Sequence, residues 1–135
     1  MRTIQKIVLG LTLIAASLSA MAEVVIVVNP KNAAPQMTSE QAAQYFLGKS
    51  TALTPIDQPE GSAIRGEFYK KLADKEASQV KAIWSKLVFT GKGTLPKEYG
   101  SSADVKKAIA GDANLIGYIE KSAVDSSVKV VATLP

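Results

Sequence analysis

The chain has 135 residues, of which 47% are hydrophobic, enough for one domain with an apolar core. It contains no cysteine and no histidine. Disulfides, thiol nucleophiles and zinc-thiolate sites are therefore excluded, and the commonest general base is missing. We expect a domain that is held together by its core alone, with no metal site and no cofactor.

The first 22 residues have a composition of their own. Residues 1–6 include two basic side chains and no acidic one, residues 7–20 are apolar or small, and Ala20-Met21-Ala22 supplies small residues before a cut. This pattern predicts a secretory signal peptide, 1–22, cleaved before Glu23. Because the apolar run is too short for a span of about 20 residues, we expect no stable membrane insertion of the exported domain, 23–135.

The charge of this domain is modest. Without Arg2 and Lys6, the 16 basic residues of the chain become 14, against 12 acidic ones, so the net charge is +2. Thirteen of the 14 are lysines that are scattered singly or in pairs, and no arginine-rich stripe with interleaved aromatic residues occurs. This distribution is typical of a solvated surface and does not favour nucleic-acid binding.

The first elements after residue 23 alternate between strand and helix. The β-branched run Glu23–Val28 predicts a central strand that is buried on both faces. Thr38 and Gln41 form a capping box, which predicts a helix over about 39–47 with Gly48 as its C′ residue. Residues 55–57 are expected to form a short strand.

The second half of the chain predicts three more helices and two strands. Ile64, Phe68 and Leu72 form one apolar stripe, and Ser78 is expected to cap a following helix that buries Trp84. Ser102 is expected to cap a short helix, and residues 114–119 and 128–134 to form strands. The order β-α-β-α-α-α-β-β predicts an α/β sheet with helices packed on it.

The turn between residues 57 and 62 is the main functional candidate. It leads from a strand into a helix that Ser62 is expected to cap, and Arg65 is the one arginine of residues 23–135. The N–H groups and dipole at such a helix start can hold a phosphate, sulfate or carboxylate. The alternative is an ordinary capped helix with a surface arginine, and with Asp57 and Glu60 as solvated turn acids. The candidate anion-binding residues are Gly61, Ser62, Ala63, Ile64 and Arg65.

An ordered set of motifs across residues 23–135 resembles a known family. The motifs are Val27-Val28-Asn29-Pro30, the Ser39-Glu40-Gln41 helix with Tyr45-Phe46-Leu47-Gly48-Lys49, Gly61-Ser62-x-x-Arg65-x-x-Phe68, Trp84, Gly91-Lys92-Gly93 and Ile116-Gly117-Tyr118-Ile119. The chain is similar to one lobe of the periplasmic phosphate-binding proteins that serve ABC importers. The resemblance implies an α/β lobe of the type II periplasmic-binding-protein fold, a mixed sheet flanked by helices, located in the periplasm.

The resemblance also implies a site and its partners. In this family a Gly-Ser-Gly-Thr turn at a helix start binds phosphate; Gly61 and Ser62 match it, whereas Ala63 and Ile64 replace the second glycine and the threonine. Gln58 stands where the family often has an arginine, and Arg65 matches an arginine of some members. Full members close two lobes around the ligand, so this single lobe would need a second copy or a partner protein to complete the pocket. An ABC importer is a further partner that the resemblance implies.

Other chemistry finds little support in the sequence. Gly91-Lys92-Gly93-Thr94 lacks the spacing of a P-loop, and the two Ser-x-x-Lys strings, Ser78 to Lys81 and Ser126 to Lys129, lack the companion motifs of penicillin-binding enzymes. We find no catalytic constellation and expect no enzyme. The function predicted from the sequence is binding of a small oxyanion, phosphate first. The alternative is a protein-interaction or structural module that kept the scaffold and lost the ligand.

Overall fold

The computed structural model describes residues 23–135, so the predicted signal peptide lies outside the described residues. Five strands and four α-helices follow one another along these residues, with a 3₁₀ turn at Lys121–Ala123. The elements are β1 (Val24–Val28), α1 (Ser39–Phe46), β2 (Thr54–Asp57), α2 (Ala63–Ala73), α3 (Ala77–Phe89), β3 (Lys97–Glu98), α4 (Ser102–Ala110), β4 (Leu115–Glu120) and β5 (Lys129–Leu134).

The strands form one mixed sheet in the order β3-β2-β4-β1-β5. β2 runs parallel to β3 and β4, whereas β1 runs antiparallel to both β4 and β5. All five residues of β1 are buried, which confirms the strand predicted from the β-branched run. The predicted α/β fold class, a mixed sheet flanked by helices, is confirmed as well.

Helices cover both faces of the sheet. Val24, Ile26 and Val28 of β1 point to the face that carries α1, α2 and α3, where they join the larger apolar cluster. Val25 and Val27 point to the other face, where α4 contributes to the smaller cluster. This alternation follows from the two-residue period of a strand. It explains why β1 has no polar side.

The junction of α1 and α3 combines a tryptophan with a glycine. The Trp84 indole N–H donates to the Phe46 carbonyl over 2.8 Å, and the side chain is 7% exposed, which confirms its prediction as a core residue. Gly48 has a φ of +76°, as expected for the C′ position of α1. A Cβ on Gly48 would lie 2.4 Å from Leu87 Cδ1, so the loop passes close beneath α3.

Two of the predicted caps are wrong by one or two residues. α3 begins after Glu76, whose N–H donates to Gln79 Oε1 over 2.7 Å, so Ser78 lies inside the helix. α4 is capped by Ser101, whose hydroxyl accepts the Asp104 N–H over 3.2 Å, and not by Ser102. In both places several neighbouring residues could cap a helix, and the Glu76–Gln79 capping box and the Ser101 hydroxyl are the caps that form.

One further difference from the prediction is a short strand. β3, which has two residues, was not predicted, because so short a strand has no periodicity to recognise. Within residues 23–135, no helix is long and apolar enough to cross a membrane.

Candidate functional site

The predicted turn directly follows β2, at the end of the sheet where the carboxyl end of β2 lies. Since β2 and β4 are parallel, their carboxyl ends meet at this edge, which is where open α/β sheets generally present a ligand site. Gly61 and Ala63 are exposed, and Ser62 and Ile64 are half-buried. The structure therefore places these four predicted residues together at the surface, at the start of α2.

Ser62 occupies the N-cap position but does not cap α2 with its side chain. Its hydroxyl instead donates to the Pro59 carbonyl over 2.8 Å, and its N–H bonds the same oxygen over 2.9 Å. The predicted capping role of the side chain is thus wrong, because the turn itself uses the hydroxyl. By contrast, Thr38 and Ser101 cap α1 and α4 with their hydroxyl oxygens. The first N–H groups of α2 therefore lack a cap from Ser62.

Arg65 is a buried residue, only 5% exposed, so the alternative of a surface arginine is wrong. One terminal nitrogen donates to the Gln58 carbonyl over 2.9 Å and to Glu98 Oε2 over 3.0 Å. Its Nε lies 3.8 Å from Asp57 Oδ2. Two carboxylates thus face the one arginine, and its charge is largely compensated inside the protein.

The Nε of Arg65 has no hydrogen-bond partner within residues 23–135, although it is buried. Arg65 lines a small cavity of about 80 Å³ together with Lys81, Trp84 and Glu98. Lys81 in turn pairs with Glu60 over 2.8 Å. The side chain of Arg65 thus extends from α2 toward β3, so it does not share the exposed position of the turn residues that precede it.

Asp57 is also buried rather than a solvated turn acid, so that interpretation of the sequence is wrong. Its Oδ2 accepts the Tyr69 hydroxyl over 2.6 Å, and its Oδ1 accepts the Tyr118 hydroxyl in a short contact and the Gln58 N–H over 2.9 Å. Burial raises the pKa of Asp57, and the tyrosine hydroxyls and Arg65 offset part of that rise. The pKa values of both tyrosine hydroxyls are raised, chiefly by burial and then by the charge of Asp57.

Gln58 does not act as a free donor at the turn. Its side-chain amide donates to the Tyr118 carbonyl over 3.0 Å and to the Ser102 hydroxyl over 3.4 Å. Gln58 is 2% exposed. The residue that stands in place of a family arginine is therefore neutral and tied into the sheet.

Aromatic rings hold α2 against β4 beneath the turn. The Phe68 and Tyr118 rings stack with centroids 3.8 Å apart and an interplanar angle of 7°, and Phe46 meets the Phe68 ring edge-on at 4.8 Å. Packing of this kind fixes the position of the helix start, since each aromatic pair stabilises by about 0.5–1.5 kcal/mol beyond its burial. The apolar stripe that contains Phe68 was predicted from the sequence, but the contact of Asp57 with two tyrosines had no local signal.

The segment Gly91-Lys92-Gly93 lies away from the candidate turn. Lys92 and Gly93 line a cavity with Gly48 and Thr54, at the amino end of β2. The candidate turn follows the carboxyl end of that strand, so the two segments do not form one site. Among the described residues, no group of three or more acidic, cysteine or histidine side chains could hold a metal ion.

Comparison with known proteins shows the fold to which this geometry belongs. No family model matches the sequence, and no curated protein matches it. An ABC-type phosphate transport receptor from Vibrio cholerae superposes with a TM-score of 0.65 and 21% identity, over 82% of this chain and 47% of the receptor. A substrate-binding protein assigned to phosphate ABC transport from Clostridium perfringens, with phosphate bound, gives 0.64 and 22%, over 82% of this chain and 45% of that protein.

PstS from Borrelia burgdorferi has the same fold at lower similarity, with a TM-score of 0.55 and 12% identity over 82% of this chain and 47% of PstS. The chain thus spans about half the length of each of these receptors. The resemblance drawn from the sequence motifs is confirmed at the level of the fold, that of one lobe of a phosphate-receptor-like protein.

Proposed function

We propose that residues 23–135 form an exported solute-binding lobe that holds a small oxyanion, phosphate in the first instance, at the start of α2. The observation that carries the proposal is the free first turn of this helix on a phosphate-receptor-like lobe. Ser62 leaves the leading N–H groups unclaimed, and Gly61 and Ala63 are exposed beside them. Helix N-termini of this kind attract anions through their N–H groups and dipole.

The mechanism is electrostatic capture with few side chains. The N–H groups of Ala63 and Ile64 donate to the anion, and these donors do not depend on the side chains that replaced the family's glycine and threonine. Arg65 lies beneath the turn, and its charge attracts the anion only to the extent that the ion pair with Glu98 breaks. Glu98 is the exchangeable partner, because its side chain is 49% exposed whereas that of Asp57 is 4% exposed.

A single lobe is expected to bind its ligand weakly. A binding site normally encloses most of a small ligand, whereas one lobe leaves one side of the anion in contact with water. Each missing charge-assisted donor costs about 1.5–3 kcal/mol, so two missing donors weaken a site by about two to four decades. We therefore expect millimolar affinity for the isolated lobe in the periplasm, with tighter binding when a second copy, a partner protein or an ABC importer covers the edge.

A phosphate titration of residues 23–135 tests the proposal by ¹⁵N–¹H NMR. We expect shifts concentrated on the amides of residues 61–65 at millimolar phosphate. Ala63→Asp places an anion at the exposed start of α2, where it stabilises the helix by about 0.3–1 kcal/mol, and should abolish the shifts. Ala103→Asp, at the exposed first turn of α4, makes the same charge change away from the site and should leave them intact.

A second candidate function is a protein-interaction module on the same scaffold. The specific observation in its favour is that Arg65 is already paired with carboxylates and Gln58 is neutral and buried. If the amides of residues 61–65 do not respond at about 10 mM phosphate, oxyanion binding by the lobe is overturned and this candidate takes its place.

A further inference from the structure

A cavity of about 480 Å³ lies between α1, the loop of residues 32–37 and the loop of residues 50–53. Asn32 and Leu53 are among the residues that line it. The Asn32 side-chain amide donates to the Ala113 carbonyl, shortly before β4, and Leu53 directly precedes β2. The cavity therefore lies at the amino ends of these two parallel strands, opposite the candidate turn. Its volume is in the range of sites for small molecules.

None of the described residues that line this cavity is charged. This contrasts with the domain as a whole, which has 14 basic and 12 acidic side chains once Arg2 and Lys6 are set aside. The amine of Lys129 reaches the 32–37 loop, but it donates to the Asn32 carbonyl over 2.5 Å and does not line the cavity. A site without charge offers no partner to an ion that leaves water, so its ligand should be neutral.

Hydrogen bonds hold the 32–37 loop against the rest of the fold. The Gln36 side-chain amide donates to the Val130 carbonyl, and the Met37 N–H donates to the Val131 carbonyl, each over 2.8 Å. Met37 and Tyr45, which both line the cavity, also pack against the larger apolar cluster. The walls of the cavity are thus fixed before any ligand binds, which reduces the entropy that binding costs.

One face of α1 lines the cavity with side chains whose hydrogen-bonding groups are not fully used. Gln41, Gln44 and Tyr45 have the i, i+3, i+4 spacing of neighbours on a helix. The Gln44 carboxamide and the Tyr45 hydroxyl have no hydrogen-bond partner within residues 23–135. The Gln41 side chain uses only its oxygen, which accepts the Thr38 N–H over 2.8 Å. Donors and acceptors therefore stand together beside an aromatic ring.

We propose that this cavity binds a neutral saccharide unit. Each hydroxyl of a sugar both donates and accepts, which matches the donors and acceptors of the carboxamides of Gln41 and Gln44. The Tyr45 ring has an apolar body and a polar tip, so it can pack against the C–H face of a sugar ring while its hydroxyl bonds the rim. The inference goes beyond the proposed oxyanion site and does not rest on it.

An extended peptide fits this site less well than a saccharide. Such a peptide binds by pairing with the backbone of an exposed strand. On the edge strand β5, however, the carbonyls of Val130 and Val131 are already taken by Gln36 and Met37. The groups that remain available at the cavity are side-chain carboxamides and a phenol, which bind hydroxyls as readily as backbone amides.

A titration of ¹⁵N-labelled residues 23–135 with neutral disaccharides tests the inference by NMR. The probes are maltose, cellobiose and N,N′-diacetylchitobiose, each raised to about 10 mM. At least one of them should shift the amides of residues 34–37 and 44–53 and the side-chain amide of Gln44, whereas residues 61–65 should not move. Galacturonic acid should bind no more tightly than galactose, because none of the described residues lining the cavity is a cation.

Three variants identify the site. Tyr45→Leu keeps an apolar side chain against the core but removes the ring, and should weaken binding by about tenfold. Gln44→Ala removes an unpaired donor and acceptor at an exposed position and should weaken binding by about fivefold. Gln79→Ala makes the same truncation at an exposed position on α3, outside the cavity, and should bind as wild type. The spectrum of each variant shows directly whether it is folded.

The absence of shifts at residues 34–37 and 44–53 with all three disaccharides would overturn the inference. Wild-type affinity of a folded Tyr45→Leu variant, or tighter binding of galacturonic acid than of galactose, would overturn it as well. A blocked alanine-proline-alanine peptide provides a further test: shifts of the same residues with the peptide and none with the saccharides would assign the cavity to peptide binding instead. The phosphate titration reports on residues 61–65, so either proposal can fail alone.

Discussion

Arg65 and Asp57 show how a residue's role depends on partners that are distant in sequence. Arg65 meets Glu98, which lies 33 residues later, and Asp57 meets Tyr118, which lies 61 residues later. An unpaired buried charge costs several kcal/mol, so the four side chains stabilise one another as a group. This group supports the helix start from below, and it limits how much of the Arg65 charge reaches an anion at the turn.

The pH dependence of stability should report on Asp57. Since burial raises its pKa in the folded state above the ordinary value of 3.8, the folded protein holds this proton more tightly than the unfolded chain does. The stabilisation is present in acid and is lost as pH rises from about 4 through the folded-state pKa, by at most about 1.4 kcal/mol per pH unit for one proton.

Urea unfolding of wild type and Asp57→Asn at a series of pH values measures this effect. The difference in the free energy of unfolding, wild type minus variant, should fall as pH rises, because the other titrating groups cancel. A difference that rises with pH would mean that the ion pair with Arg65 outweighs the burial of Asp57.

At the scale of elements, the loop after α1 sets the position of α3. Gly48 and Gly91 both have positive φ, +76° and +73°. A Cβ on Gly48 would overlap Leu87 Cδ1 at 2.4 Å, whereas a Cβ on Gly91 would meet nothing within 4 Å. Both positions would impose backbone strain on a larger residue, but only Gly48 would also bring its side chain into close contact. Comparing variants at the two positions therefore separates the two effects.

Gly48→Ala should destabilise the domain more than Gly91→Ala. Both variants bear the cost of a side chain at positive φ, about 1 kcal/mol, and Gly48→Ala adds overpacking of about 1–3 kcal/mol. Chemical denaturation of both variants measures the two values side by side. Equal destabilisation would show that the Leu87 side chain or the loop moves aside at no cost.

At the scale of the whole molecule, the main feature is the end of the sheet at which β2 and β4 finish, where the candidate turn lies. The chain spans about half of each receptor that shares its fold. The candidate turn lies at the carboxyl end of β2, and the same edge holds the start of β1 and the end of β5, since Val24 pairs with Leu134. Under the proposed function, a second copy that covers these strand ends would enclose the anion.

Phosphate should therefore promote association of the lobe. Sedimentation velocity of residues 23–135 should show a larger sedimenting species as phosphate rises to about 10 mM, because the anion gains donors from two helix starts. Sulfate-free chloride buffer of equal ionic strength is the control, and Ala63→Asp should remain monomeric. NMR shifts at residues 61–65 without any change in sedimentation would mean that one lobe binds the anion alone.

Much of the fold could be predicted from local pattern. The β-branched run of β1, the Thr38–Gln41 capping box and the apolar stripe of α2 each contain their own signal within a few residues. The starts of α3 and α4 and the short β3 could not be predicted, because neighbouring residues cap equally well and two residues have no period. For the candidate site, the position of the turn was predictable, whereas the partners of its charged residues were not.

The sequence by itself determined an α/β domain without cysteine or histidine, in which a strand leads through a turn into a helix near residue 62. Composition and short-range hydrophobic spacing suffice for that, since they act within one element. Only the tertiary structure decided that Ser62 bonds back to Pro59 and that Arg65 is buried between Asp57 and Glu98. These are contacts between elements, and the free energy of burying a charge or a ring is known only once its neighbours are in place.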